Sequence, residues 1–197
     1  MRDTLSSKRR LAVAGITTIC MLAAAAPAVA QTGGTGTPGE TTTTTPTTTT
    51  APVGPPGRGK IRKDGTAVAP ADAPANIQAA VAAGNAIHTF PYVWGGGHRS
   101  FTDTGYDCSG AVSYVLHAAG LLASPMPSGP MASSWGVPGK GRWITVYANA
   151  SHVYMIVAGL RFDTSSGGDR WNQGSGPRWR KKKRKPVGYT AKYAPGF

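Results

Sequence analysis

The chain has 197 residues, a formal net charge of +13 at pH 7 and only two cysteines, Cys20 and Cys108. We expect Cys20 to be removed with a signal peptide, which leaves a single thiol and excludes an intrachain disulfide. The length that remains suits one compact domain, and the basic balance predicts polyanionic partners.

The N-terminus is typical of a secretory signal peptide over residues 1–30. Basic residues precede an apolar stretch at 11–27, and small residues predict cleavage after Ala30. Ile19, just before Cys20, is too bulky for a lipoprotein-type cleavage site. The alternative is an uncleaved membrane anchor, for which the apolar stretch is short and rich in alanine. We therefore expect a secreted protein of the cell wall or extracellular space.

Residues 31–72 predict a disordered linker rich in glycine, threonine and proline. The threonine run at 41–50 has no side chains that can form a core, so nothing offsets the entropy lost on ordering. Threonine with proline favours an extended stalk, a composition that also accepts O-linked glycans. The linker ends in a basic patch, which we interpret as a solvated surface: Arg58, Lys60, Arg62 and Lys63. The folded domain is then residues 73–197.

That domain is predicted to open with a helix. Apolar residues recur at helical spacing from Ile77, Asp72 is placed to cap the helix, and Pro91 stops it. A short aromatic strand and a glycine turn follow at 92–97.

A second helix is predicted from Cys108 to Gly120, because apolar residues again recur at helical spacing. After a proline- and glycine-rich loop at 125–141, β-branched and aromatic residues dominate. They predict three antiparallel strands, at 143–147, 152–158 and 160–163. Helices followed by an antiparallel sheet indicate an α+β fold.

Cys108 lies in a glycine-bracketed turn, residues 105–110, at the start of the second helix. The unpaired N–H groups and the positive dipole end there favour a thiolate over a thiol. A cysteine nucleophile needs a base, and the chain offers four histidines: His88, His98, His117 and His152. The first and third lie on helical stretches, where packing is the simpler role, and His98 follows the glycine turn. His152 is favoured because it begins an apolar strand, and Asp163 on the next strand is placed to orient it.

Three segments together resemble the NlpC/P60 family of secreted, papain-like cysteine peptidases, which cut bacterial wall peptides. They are PYVWGG at 91–96, YDCSG at 106–110 and SHV at 151–153. The resemblance covers about 77–163 and implies a papain-like α+β fold whose nucleophile helix packs on an antiparallel sheet. It also implies that Cys108 is the nucleophile and His152 the base. The family's third polar position falls on Asp163, where histidine is more usual.

The same resemblance implies roles in substrate binding. Tyr92 would lie near the oxyanion, and Asp107 and Ser109 would face the amino end of the substrate. The implied reaction is hydrolysis between D-Glu and the diamino acid of a peptidoglycan stem peptide. Two departures bear on substrate preference: Gly-Arg-Trp-Ile replaces the usual Gly-Asp-Leu element at 141–144, and Tyr154 stands where glycine is common.

A basic run near the C-terminus is the second feature that can carry function. Its members, with Trp179 inside the run, are Arg178, Arg180, Lys181, Lys182, Lys183, Arg184 and Lys185. It predicts either a solvated, mobile loop or a binding site for anionic wall polymers. In the second case, retention of the protein on purified wall sacculi would fall as salt rises. Nucleic-acid binding is the least favoured of the three, since the protein is exported and has no accompanying motif.

Two other functions remain open at this stage. A thiol amidase or acyltransferase would use the same cysteine and histidine on a different bond, and a non-catalytic wall-binding module would keep only the fold. No metal or other cofactor is expected, because the chain has no HExxH element and no paired cysteine and histidine ligand spacing. We expect a monomer whose main partner is peptidoglycan.

Overall fold

In the computed structural model, the described residues belong to one compact unit, Thr48–Phe197, and comprise 55–165, 176–181 and 184–197. The predicted signal peptide, most of the linker, Lys182 and Lys183 lie outside the described residues. None of the helices in the described ranges has the length and apolar character that a membrane span requires.

A small hairpin and a helix form the first part of the unit: β1 (Lys60–Ile61), β2 (Ala67–Val68) and α1 (Ala75–Ile87). The side chain of Asn85 in α1 bonds both backbone groups of Ala67, accepting from its N–H at 2.7 Å and donating to its carbonyl at 2.9 Å. Ala67 is buried. The last part of the predicted linker, which contains β1 and β2, is therefore ordered rather than disordered. The contacts with α1 offset the conformational entropy that this segment loses on ordering.

Asp72 does not cap helix α1, contrary to the prediction. The N-cap residue is Pro74, whose side chain makes no capping hydrogen bond. A proline disfavours helical backbone at the residue before it, so the helix starts only after Pro74. Asp72 instead accepts a hydrogen bond from the backbone N–H of Gly57 at 2.9 Å.

The other described residues of the unit form two helices and a six-stranded sheet. In chain order they are α2 (Cys108–Ala118), α3 (Ser128–Ser133), β3 (Val137–Pro138), β4 (Ile144–Ala148), β5 (Val153–Val157), β6 (Leu160–Asp163), β7 (Arg178–Arg180) and β8 (Thr190–Tyr193). The strand order is β3-β8-β4-β5-β6-β7, and the pairs are antiparallel.

The helices cover the face of the sheet toward which every second side chain of β5 points. Val153, Met155 and Val157 are fully buried and belong to the same core as the apolar face of α2. Tyr154 lies on the opposite face, because successive side chains of a strand point to opposite sides. The sequence-based α+β prediction is confirmed, with the cysteine-bearing helix packed on an antiparallel sheet.

Besides the hairpin of β1 and β2 in the predicted linker and the short strand β3 in the predicted 125–141 loop, three more elements were not expected from the sequence. Helix α3 lies inside the predicted 125–141 loop, and strands β7 and β8 lie in what reads as a basic tail. In β7 the arginines occupy alternate positions, and Trp179 between them packs on Phe162 with ring centroids 4.8 Å apart. The run of charge therefore conceals a strand with one apolar face.

Candidate active site

Helix α2 begins at Cys108 because Asp107 caps it. Asp107 has extended backbone, and its Oδ1 accepts the N–H of Gly110 at 2.8 Å, which satisfies one of the unpaired helical donors. Cys108 is thus the first helical residue, and it is 7% exposed. Its thiol lies at the positive end of the helix dipole, where negative charge is stabilised.

The short aromatic strand predicted at 92–97 is not formed, since in the described part of the chain Tyr92 makes only an isolated bridge. The glycine turn predicted with it packs directly on this helix start. Its backbone bonds Asp107 twice, since Gly95 N–H donates to Oδ2 at 3.2 Å and the carbonyl of Gly96 accepts the N–H of Asp107 at 3.2 Å. A Cβ atom at Gly110 would overlap the carbonyl oxygen of Gly96. The two glycine-rich motifs are therefore one structural unit, in which the absence of side chains permits close backbone approach.

His152 is held at the start of β5 by a side-chain turn. Asn149 Oδ1 accepts the backbone N–H groups of Ser151 at 3.0 Å and of His152 at 2.9 Å. The ring then places Nε2 3.1 Å from Asp163 Oδ1. This leaves Nδ1 as the ring nitrogen that is free to face Cys108, and the interaction with that thiol contributes to the raised pKa of His152.

His152 and Asp163 stabilise each other's charged forms. Burial opposes the charge on the imidazole, but the hydrogen bonds to Asp163 and Cys108 outweigh it and raise the pKa of His152 to about 9. Burial likewise opposes the charge on Asp163, whose side chain is fully buried, but hydrogen bonds from His152 and Ser165 hold the pKa of that carboxyl well below its usual range. At neutral pH the favoured state is an imidazolium beside a carboxylate.

Tyr92 lies at the same site. Its backbone forms an isolated parallel β-bridge with that of Tyr106, the residue before Asp107. Burial, together with negative charge on Cys108 and Asp107, raises the pKa of the Tyr92 hydroxyl. The structure therefore brings Tyr92 close to both residues, and the neutral phenol is a potential hydrogen-bond donor there.

A second polar cluster joins Asp107, Ser109 and His98. Nε2 of His98 lies 2.8 Å from Asp107 Oδ2 and 2.9 Å from Ser109 Oγ, and that hydroxyl donates to Asp107 Oδ1 at 3.0 Å. His98 thus contacts the two residues expected to face the substrate, whereas His152 contacts Cys108.

The other two histidines have packing roles. His88 Nδ1 lies 2.6 Å from the carbonyl of Asn85, and His117 stacks on Phe101 with ring centroids 3.9 Å apart. Neither contact joins a histidine to the thiol, in agreement with the lower rank that their helical positions gave them.

The basic run is divided between the interior and the surface. Arg178 and Arg180 are buried in β7, while Lys181 and Lys185 are exposed. Arg184 donates from one guanidinium nitrogen to Asp163 Oδ2 at 3.2 Å, so it reaches the predicted site. The prediction of a solvated loop is therefore wrong for Arg178 and Arg180, which lie buried in β7. Sequence reasoning missed Arg184 because a cation in a charged run carries no local signal of a distant carboxylate.

Comparisons with known proteins add little. No protein-family model and no curated protein matches the chain. One similar solved structure is described as that of Rv1477, a hypothetical invasion protein of Mycobacterium tuberculosis. It is 20% identical with a TM-score of 0.42, and the match covers 60% of this chain and 63% of that chain, less than two thirds of its length.

Proposed function

We propose that this protein is a secreted cysteine peptidase of the NlpC/P60 type that hydrolyses peptide bonds in peptidoglycan stem peptides. One observation carries the proposal: a thiol at a helix N-terminus interacts electrostatically with an imidazole, whose Nε2 lies 3.1 Å from a buried carboxylate. This is the nucleophile, base and orienting group of acyl-transfer enzymes. The motifs around Cys108 and His152 supply the substrate class.

The reaction would proceed through an acyl-enzyme. The Cys108 thiolate attacks the scissile carbonyl carbon, the carbonyl π pair moves to oxygen, and backbone N–H groups at the start of α2 stabilise that charge. The oxyanion collapses, the C–N bond breaks, and His152 gives its proton to the leaving amine. Water then adds to the thioester with one proton going to His152, and a second collapse expels the Cys108 thiolate beside the imidazolium, which restores the starting pair. The carboxylic acid product loses its proton to the released amine or to water.

We propose that Asp163 keeps the imidazole in the productive orientation, and that Tyr92 contacts the developing oxyanion. Asp107 and Ser109 would face the substrate's amino end. The carboxylate of Asp107 already accepts from the helix, the glycine turn, Ser109 and His98. An incoming ammonium group would therefore replace His98 at Asp107 Oδ2 rather than fill an open position.

The fold and the pair of Cys108 and His152 also suit a thiol amidase or acyltransferase, which would act on another bond. A non-catalytic wall-binding module would have no need of a thiol and an imidazole grouped with a carboxylate.

The test is digestion of purified peptidoglycan by the wild-type protein and by Cys108→Ala, with released muropeptides identified by mass spectrometry. We expect shortened stem peptides from the wild type alone. Free stem peptides cut from muramic acid would instead identify an amidase. Identical blank traces from both folded proteins, on several wall types, would contradict an enzymatic function.

A further inference from the structure

Asp163 makes different contacts through its two oxygens. Oδ1 faces His152 and also accepts the backbone N–H of Ser165 at 2.9 Å. Oδ2 faces two arginines, with Arg184 at 3.2 Å and Arg161 Nε at 3.6 Å. The carboxylate is thus held between an imidazole on one side and guanidinium groups on the other.

Arg184 is itself held in place by aromatic rings. Its guanidinium carbon lies 5.3 Å from the ring centre of Tyr154 and 5.2 Å from that of Tyr189, and its other terminal nitrogen donates to the Tyr189 hydroxyl at 2.7 Å. Such cation–π contacts stabilise a partly buried guanidinium and suit its planar shape. The ring of Tyr189 also meets His152 edge-on, with centroids 6.3 Å apart.

Arg184 also borders a cavity of about 360 Å³. The side chain lines this cavity together with Tyr147, Tyr154 and Pro186, whereas Asp163 does not line it. At Oδ2 the arginine thus contributes both a positive charge and a directed hydrogen bond.

We propose that Arg184 is a positioning residue that acts on His152 through Asp163. This inference rests on the proposed function for its catalytic meaning, but the electrostatic coupling that it describes does not. By bonding Oδ2, Arg184 fixes the rotation of the carboxylate so that Oδ1 meets the imidazole. Its positive charge also competes with the imidazolium for the carboxylate, which keeps the imidazolium able to release its proton to a leaving amine.

Several charged or titratable groups face His152 or Asp163 from the surrounding elements. In the described part of the chain they are Cys108 on α2, Tyr154 on β5, Arg161 on β6, Arg178 opposite Asp163 on β7, and Arg184 and Tyr189 before β8. Arg161 remains on Oδ2 when Arg184 is changed, so the carboxylate keeps a cationic partner. We therefore expect variants at Arg184 to fold.

The test follows the His152 ring resonance by NMR as a function of pH in the full chain. In Arg184→Gln the loss of a positive charge near the imidazolium should raise the pKa of His152, by about one unit for charges at this range. Arg184→Lys keeps the charge and should shift it less. Lys185→Gln is the matched control, because it removes an equal charge from the next, exposed residue and should leave the resonance unchanged.

The sign of the shift separates the two possible roles. If Arg184 merely supported local structure, its loss would let water reach Asp163, weaken the bond to His152 and lower the pKa of the imidazole. A lower or unchanged pKa in folded Arg184→Gln, or an equal rise in Lys185→Gln, would overturn the proposal. Tyr189→Phe, which releases one contact of the guanidinium, gives a second check and should move the pKa in the same direction by less.

Turnover on peptidoglycan gives an independent readout. We expect Arg184→Gln to lower kcat by at least about tenfold with little change in KM, since a misplaced catalytic group slows chemistry more than binding. Wild-type turnover in that variant would count against the positioning role. An inactive wild-type protein that still shows the NMR shift would contradict the proposed function while upholding the coupling.

Discussion

At the residue scale, His152 and Asp163 link stability to pH. The pKa of His152 is raised from 6.5 to about 9, so its contribution is complete below pH 6.5 and is lost as pH rises through about 9. The pKa of Asp163 is lowered from 3.8, so its contribution is present above that pH and is lost in stronger acid. Both contributions are complete between pH 3.8 and pH 6.5.

We therefore expect the free energy of unfolding to fall by roughly 3 kcal/mol as pH rises from 6.5 to 9. Asp163→Asn should lower the stability at pH 6 and flatten this alkaline decline, because the imidazolium loses its carboxylate. Denaturant unfolding at a series of pH values measures both. Asp64→Asn, a change of the same kind at an exposed carboxyl, should leave the slope as it is, and a wild-type slope in Asp163→Asn would contradict the coupling.

The sequence predicted the residues that carry local signals. Cys108 stands in a recognisable turn, and His152 and Asp163 lie at the ends of readable strands, so their type and order were enough to select them. Arg184 and His98 could not be selected in this way. Their contacts with Asp163 and Asp107 depend on how distant segments fold together, and no local pattern records that arrangement.

At the element scale, the start of helix α2 depends on glycine. A Cβ atom at Gly110 would overlap the carbonyl oxygen of Gly96, which itself bonds the backbone of Asp107. Alanine is a better helix former than glycine, so propensity alone would predict stabilisation by up to about 1 kcal/mol. The overlap must displace either the helix or the glycine turn, and both position Cys108.

Gly110→Ala should therefore lower the free energy of unfolding by about 1–3 kcal/mol, as overpacking of a close contact usually does, and it should reduce activity. Gly129→Ala in helix α3 is the matched control, because nothing lies within 4 Å of its added methyl group. That variant should be unchanged or slightly more stable. Equal stability of the two variants in thermal or denaturant unfolding would contradict this account of the motif.

Strand β7 shows where pattern reading fails at this scale. Arg178 and Arg180 share one face and Trp179 the other, where its indole N–H donates to Asn85 Oδ1 at 2.9 Å. Buried arginines are rare, so a run of cations predicts a solvated segment. Strands β4 and β5 were predictable because β-branched and aromatic residues dominate them.

At the scale of the whole molecule, the excess of positive charge is spread over two kinds of environment. Arg178, Arg180 and Arg184 serve the sheet and the site, whereas Lys181 and Lys185 are exposed. Wall-polymer binding remains a proposal, and the exposed lysines are the part of the run that suits it. Contacts between exposed charges are screened by salt.

We expect the protein to be retained on purified wall sacculi at low ionic strength and released as salt rises. The double variant Lys181→Gln, Lys185→Gln should bind less, while Arg184→Gln should bind as the wild type does because its charge is already paired. Co-sedimentation over a salt series measures this. Retention that does not respond to salt, or loss of binding only in Arg184→Gln, would argue against a lysine surface.

The α+β architecture followed from apolar spacing in α1, α2 and β4–β6, which local sequence records. The hairpin of β1 and β2 and the outer strands did not, because they are ordered by tertiary contacts such as those of Ala67 with Asn85. Linker composition and a charged tail thus hid segments that complete the domain.

The central claim is that the Cys108 thiolate, paired with His152, cleaves an amide bond of the wall. The most direct measurement is the release of new amino groups from purified peptidoglycan by the wild type, Cys108→Ser and His152→Ala, with melting temperatures recorded in parallel. We predict release by the wild type and none above the blank by either folded variant. Equal release by Cys108→Ser would show that the thiol is not the nucleophile and would contradict the account.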